Sequence, residues 1–260
     1  MASNVVLHRH RFLPFSALAL SVALAGCQQV SHVLPNTPWH QKFSWKADAY
    51  FTDPQVIALC KAIEADDIAE IDRLVAAGAD VNAKGKGNMT PLMWAFPDNK
   101  LARFTRLLEH GANPNVVIQS DFNTRGGISS GDSVTHMACR TEFPGYFEAV
   151  FAHGGDPNFV RNWLTSGLTP LFSVITGRSP NKIAHVTKLI ELGANLDQVD
   201  GTGTTPVMQA NGRGFYNLAL ILLLESTSPK LTRVSFIAYS RRSAEANHGG
   251  HNKSLTIRSC

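Results

Sequence analysis

Three kinds of residue in this chain have chemistry within reach: histidines, close glycine pairs and acidic residues. His136 sits in Ser133-Val134-Thr135-His136-Met137-Ala138, while His110 and His153 close apolar segments that read as helices, where a partial positive charge is favoured. No nucleophile, base and orienter can be assembled from these residues. Gly85-x-Gly87, Gly201-x-Gly203 and Gly212-x-Gly214 lack the preceding strand and the following Lys-Ser/Thr that a phosphate loop requires. Asp66-Asp67 reads as a solvated turn between helices rather than as metal ligands, and Asp121, Arg125 and Asp132 form no recognisable catalytic set. Neither Cys60 nor Cys139 belongs to a paired Cys-x-x-Cys spacing, so zinc is unsupported. These inventories imply no metal and no cofactor, and they point away from an enzyme.

The elements that would position such residues begin with a targeting segment. Arg9 and Arg11 precede an apolar run from Phe12 to Ala25, the length of a secretory core and short for a bilayer span. The run ends in Leu24-Ala25-Gly26-Cys27, which resembles the lipobox of bacterial lipoproteins. That resemblance implies cleavage before Cys27, lipid on its thiol, and a mature chain held at a membrane by its acyl chains. Gln28 beside the modified cysteine, by the same resemblance, favours the outer membrane, with the folded part facing the periplasm. Residues 1–26 are then signal peptide, and residues 27–41, with Pro35 and Pro38, an extended tether.

The formal net charge of +4 divides unevenly along the chain. The signal segment carries +2 and residues 226–260 carry +5, which leaves −3 on residues 27–225. An acidic body gives no electrostatic case for nucleic acid. Cys60 and Cys139 fall two structural units apart, beyond disulfide reach, and are expected as small buried fillers; Cys260 is a terminal thiol.

Those units are internal repeats. Gly78-Ala79-Asp80, Gly111-Ala112-Asn113, Gly154-Gly155-Asp156 and Gly193-Ala194-Asn195 each close an apolar segment, at intervals of 33, 43 and 39. Thr90-Pro91-Leu92, Ser133 to Ala138, Thr169-Pro170-Leu171 and Thr205-Pro206-Val207 stand where a first helix begins. Thr or Ser can cap a helix, proline suits its first turn, and glycine ends a second helix in the left-handed region. Gly131, Gly167 and Gly203 precede the capping residue by two places, and Asn88 fills that place in the second unit. Apolar stripes mark second helices at Ile68, Ile71, Leu74 and Val75, at Leu101, Phe104, Leu107 and Leu108, and at Ile183, Val186, Leu189 and Ile190.

The pattern resembles the ankyrin repeat. It implies an all-α solenoid of about five helix-turn-helix units, at 53–85, 86–129, 130–165, 166–201 and 202–225, within a folded region of 42–225. Under this resemblance His136 braces a helix start and the neighbouring loop. Asp53-Pro54 opens the first unit, and Trp39, Phe43, Trp45, Tyr50 and Phe51 are expected to cover the open N-terminal end. After Glu225 the pattern stops: residues 226–260 are basic, irregular and expected to be disordered, either a native tail or the product of a shifted frame or truncation.

Recognition is the function such a stack implies. Trp94, Phe96, Asp98 and Asn99 surround the short turn of the second unit, and Phe143 that of the third. Phe122 and Arg125 lie in an enlarged connection, 116–131, which is either functional or a tolerated insertion; Trp163 precedes the fourth unit. These eight residues are the candidate partner contacts, with the aromatics divided between core and partner. The lipobox followed by such units resembles ankyrin lipoproteins paired with type VI secretion phospholipase effectors, which implies an immunity protein, monomeric and bound to one protein partner. The alternative is a periplasmic scaffold or envelope-stress protein with an endogenous partner.

Overall fold

The computed structural model describes residues 38–122, 128–161 and 167–226. Cys27, Arg125, Trp163, Cys260, the signal segment and the tail beyond Ser226 lie outside them. Two short helices, α1 (Trp39–Lys42) and α2 (Ala47–Tyr50), precede five helix pairs. The pairs are α3 (Pro54–Ala65) with α4 (Ile68–Ala76), α5 (Pro91–Ala95) with α6 (Leu101–Glu109), and α7 (Val134–Arg140) with α8 (Tyr146–Ala152). They continue with α9 (Pro170–Thr176) and α10 (Lys182–Glu191), then α11 (Pro206–Gly212) and α12 (Tyr216–Glu225). Among the described residues there is no strand, only an isolated bridge between Arg161 and Leu168. First helices pack on first helices (α3 on α5, α7 on α9, α9 on α11) and second on second (α4 on α6, α6 on α8, α10 on α12).

The helix starts follow from their caps. Asp53, Thr90, Ser133 and Thr205 each accept a backbone N–H from the first turn, and proline occupies the first turn of α3, α5, α9 and α11. Thr169 departs from this: its hydroxyl makes no cap bond and is buried without a hydrogen-bond partner among the described residues. At the other end of the first four pairs Gly78, Gly111, Gly154 and Gly193 have φ of 100°, 81°, 90° and 80°, as the Gly-Ala-Asp/Asn spacing predicts. Asn88, at φ 59°, takes the place that Gly131, Gly167 and Gly203 fill in later units.

One device joins the units in a way that the spacing of motifs does not reveal. Asn82 donates its side-chain amide to the Gly111 carbonyl (2.9 Å) while its Oδ1 accepts from the Asn113 N–H (2.7 Å). Asn115 repeats this with Gly154 and Asp156, and Asn158 with Gly193 and Asn195. Each asparagine is itself held by a turn in which Asp80, Asn113 or Asp156 accepts its backbone N–H. The next position is Asp197, whose Oδ1 accepts from the Ser226 hydroxyl at 2.7 Å.

The pre-repeat segment departs from expectation. Trp39–Gln41, read as the end of the tether, belong to α1, and His40 is buried. The aromatics do not simply close the N-terminal end: His40, Trp45, Tyr50 and Phe51 converge on Trp94 of the second unit, with ring centroids 4.7, 5.3, 5.4 and 6.2 Å away. The enlarged connection joins the same cluster, since Phe122 is buried against Trp45 and Tyr50. Its backbone is ordered where described: Ile118 N–H donates to the Asp132 carbonyl, Gly131 N–H to the Ile118 carbonyl, and Gln119 N–H to the Gly87 carbonyl.

Candidate functional site

The residues with chemistry in reach are engaged in bracing the fold. The Ser133 hydroxyl lies 2.9 Å from His136 Nδ1, and His136 Nε2 lies 3.1 Å from the Leu168 carbonyl. A carbonyl only accepts, so Nε2 carries the proton and the serine hydroxyl donates to Nδ1 while accepting the His136 backbone N–H. Burial holds this imidazole at a pKa of about 4, so it is neutral at ordinary pH. The side chain ties a helix start to the loop of the next unit, as the ankyrin resemblance implies.

Asp132 is fully buried, its carboxylate gripped by both terminal nitrogens of Arg140 at 2.7 Å and approached by Arg161 Nε at 3.1 Å. Asp121 accepts the Ser130 N–H. Both acids therefore hold the enlarged connection in place, and Arg125 between them lies outside the described residues. Asp66 ends α3 in the left-handed region and Asp67 caps α4, so this pair forms the helix–helix turn. Cys60 and Cys139 are buried free thiols, and burial pushes both pKa values up.

The proposed partner contacts divide sharply. Trp94 has 0% of its surface exposed, and its indole N–H donates to Glu64 Oε1 at 3.1 Å. Phe96 and Phe122 are likewise buried. These three are core residues, not exposed anchors: the pre-repeat segment lies over Trp94, Phe122 packs against Trp45 and Tyr50 of that segment, and Phe96 packs against Phe104 and Tyr146. Asp98 is almost covered. It accepts the Trp39 N–H at 2.7 Å and pairs with the buried Arg103 at 2.6 Å, with His40 Nδ1 3.2 Å away. Burial alone would raise its pKa, but hydrogen bonds from His40, Trp39 and Arg103 outweigh it and hold the carboxyl at about 2.

What remains accessible from the predicted set is Asn99, exposed at φ 53°, and Phe143, half-buried. The structure brings these two turns together. Phe143 lies 6.0 Å from Phe96 and 5.6 Å from Tyr146, and Leu101 crowds Gly145 so closely that a Cβ there would meet it at 2.5 Å. A ridge results in which Asn99, Lys100 and Leu101 of one unit adjoin Glu142, Phe143 and Pro144 of the next. Sequence reasoning missed its frame, His40 and Arg103, and its apolar member Leu101, 37% exposed. Helical period places Leu101 in the core stripe, and only the close approach of the third unit reveals its position.

The ridge is an extended surface. No family model matches the chain. It is 25% identical over 197 residues to the nuclear factor NF-kappa-B p105 subunit of Gallus gallus, a match covering 76% of this chain and 18% of that protein. It is also 25% identical over 206 residues to the glycerophosphocholine phosphodiesterase gde1 of Schizosaccharomyces pombe, covering 76% of this chain and 17% of that one. The chain thus spans under a fifth of the length of either relative. Both relatives contain ankyrin repeats. Paired short helices, recurrent caps and these similarities describe an ankyrin-repeat-like helical protein.

Proposed function

We propose that this chain is a membrane-anchored periplasmic lipoprotein, lipidated on Cys27, that binds and inhibits a secreted phospholipase effector as its immunity protein. The observation that carries the binding part is the ridge itself: two turns from adjacent units offer Asn99, Leu101, Glu142 and Phe143 on a fully buried frame. Aromatic and apolar side chains fixed in advance lose little entropy on association, which is the condition for a strong contact. The anchoring part rests on the Leu24-Ala25-Gly26-Cys27 sequence, and the choice of target on the resemblance to effector-paired lipoproteins.

Purified full chain is titrated against a cognate phospholipase while lipid hydrolysis and binding heat are recorded. Inhibition at equimolar ratio is expected, and Phe143→Ala is expected to weaken binding at least tenfold with helical content unchanged. Binding without inhibition, or capture of an endogenous envelope protein instead, would favour the scaffold alternative. Equal affinity of Phe143→Ala for the genuine partner would remove the ridge as the contact. Metabolic labelling with a fatty-acid analogue, lost in Cys27→Ser, tests the anchor.

A further inference from the structure

The turns that join first to second helices follow one another along one edge, and the ridge is only its first half. Beyond the turns at 96–100 and 141–145 come those at 177–181 and 213–215. The turn at 177–181 is seated on the end of α7: the Arg178 N–H donates to the Arg140 carbonyl at 2.8 Å, and Arg140 leaves no room for a Cβ at Gly177. The last turn is tied to it through Lys182. That ammonium lies 5.5 Å from the centre of the Phe215 ring while donating to the Val174 and Gly177 carbonyls at the end of α9. Between these two turns opens a groove of about 790 Å³, lined by residues 179–184 and 214–218, with exposed Ile183, Phe215 and Tyr216 on its walls.

Charge distinguishes this second half. Residues 177–183 and 212–217 contain Arg178, Lys182 and Arg213 and no acid, a local +3 within a body, residues 27–225, that carries −3. Arg178 and Arg213 are exposed, directly precede the two runs that line the groove, and make no ion pair among the described residues. Glu148 is engaged with His185 of α10 at 3.3 Å, and Glu225 stands at the far end of α12. Burial, and after it the Arg213 charge, lowers the Lys182 pKa, the direction expected where cations gather without an acid. We propose that this groove completes the binding ridge and receives an acidic segment of a protein partner, with an apolar side chain entering between the two turns and carboxylates meeting Arg178 and Arg213. The assignment rests on the ridge as the partner-binding edge and adds the chemistry of what binds there. A bilayer fits less well, because a flat array of headgroups does not enter a recess between two turns, whereas a single chain does. Unneutralised cations around an apolar recess speed the encounter with an anionic partner and discriminate against basic ones.

The test titrates the full chain with a fluorescent peptide in which glutamates flank a leucine-phenylalanine pair, and with its lysine-for-glutamate counterpart. Saturable binding of the acidic peptide alone is expected, weakened at least tenfold by Arg178→Glu with Arg213→Glu and, separately, by Ile183→Ser, with helical content unchanged. Lys182 is left intact because it holds the end of α9. No saturation at roughly millimolar peptide, equal binding of the two peptides, or equal affinity of parent and variants would overturn the proposal. Phosphatidylglycerol vesicles are the third probe: cosedimentation of a Cys27→Ser chain with them, abolished by the charge reversal, would assign the groove to a lipid surface and overturn it as well. The two readings fail separately. A phospholipase that binds parent and charge-reversed chains alike, with no peptide bound, removes the groove and leaves the ridge, whereas peptide binding without phospholipase binding removes that target and supports the groove.

Discussion

Replacing Trp94 with alanine separates a core role from a partner-binding one more cleanly than any other change. The residue has no exposed surface, touches four other aromatic rings, and donates to Glu64. Truncating a buried tryptophan costs roughly 3–5 kcal/mol, and loss of the indole hydrogen bond adds about 1 kcal/mol. Set against the ~5–15 kcal/mol of an ordinary domain, the expected loss of about 4–6 kcal/mol leaves the first two units close to unfolding. The cavity sits where the pre-repeat segment crosses α5, so α1 and α2 should be released first. Urea unfolding of the full chain, followed by circular dichroism and by emission from Trp39 and Trp45 of the pre-repeat segment, measures this. Trp94→Phe keeps most of the volume and should recover more than half of the loss. A Trp94→Ala chain destabilised by less than about 1 kcal/mol, but impaired in binding, would refute the placement of this side chain in the core.

Other consequences can be measured on the same preparation. Thr169→Val should be neutral or slightly stabilising in urea, because the hydroxyl is buried without a partner among the described residues, whereas Thr90→Val should cost about 1 kcal/mol through loss of its cap. The folded-state pKa of His136, about 4, lies below the ordinary 6.5, so the unfolded chain takes up this proton first. Its contribution is complete above pH 6.5 and falls away as pH drops towards 4, by about 3 kcal/mol in all. His136→Gln should flatten that part of a stability profile; an unchanged slope between pH 6.5 and 4 contradicts the assignment. Asp98, held at about 2, acts in a separate window, with stability lost only below about pH 3.8. Asn115→Ala removes bonds to Gly154, Asp156 and Thr135, and should cost about 1–3 kcal/mol, read as faster amide exchange at the junction of the second and third units.

Much of the fold was legible because its signals are local. A threonine before proline, a glycine closing a helix and an asparagine standing in for glycine each act within a few residues, and the structure places Thr90, Gly78 and Asn88 accordingly. His136 was legible through resemblance, since its second partner, the Leu168 carbonyl, is 32 residues away. The candidate site was less so. Trp94, Phe96 and Phe122 have the residue types of interface anchors, and type alone cannot distinguish a face awaiting a partner from one that another part of the chain covers. Here residues 39–51, which do not follow the repeat, cover Trp94 and Phe122, while Phe104 and Tyr146 of its own and the next unit cover Phe96. The ridge at Asn99 and Phe143 survives because it belongs to the turns, which the covering segments leave exposed.

The asparagine ladder also has a direction. Asn82, Asn115 and Asn158 each donate a hydrogen bond forward to a carbonyl and accept one from a backbone amide, so a carboxamide, able to do both, fits where a carboxylate of the same shape does not. Asp197 receives from Ser226 and, as a carboxylate, has nothing to give. A protein engineer wishing to lengthen this scaffold by grafting another module after Glu225 would therefore need an amide at 197 and a bare carbonyl where the Ser226 hydroxyl now points. Substituting one oxygen for one nitrogen thus turns a two-way joint into a one-way acceptor.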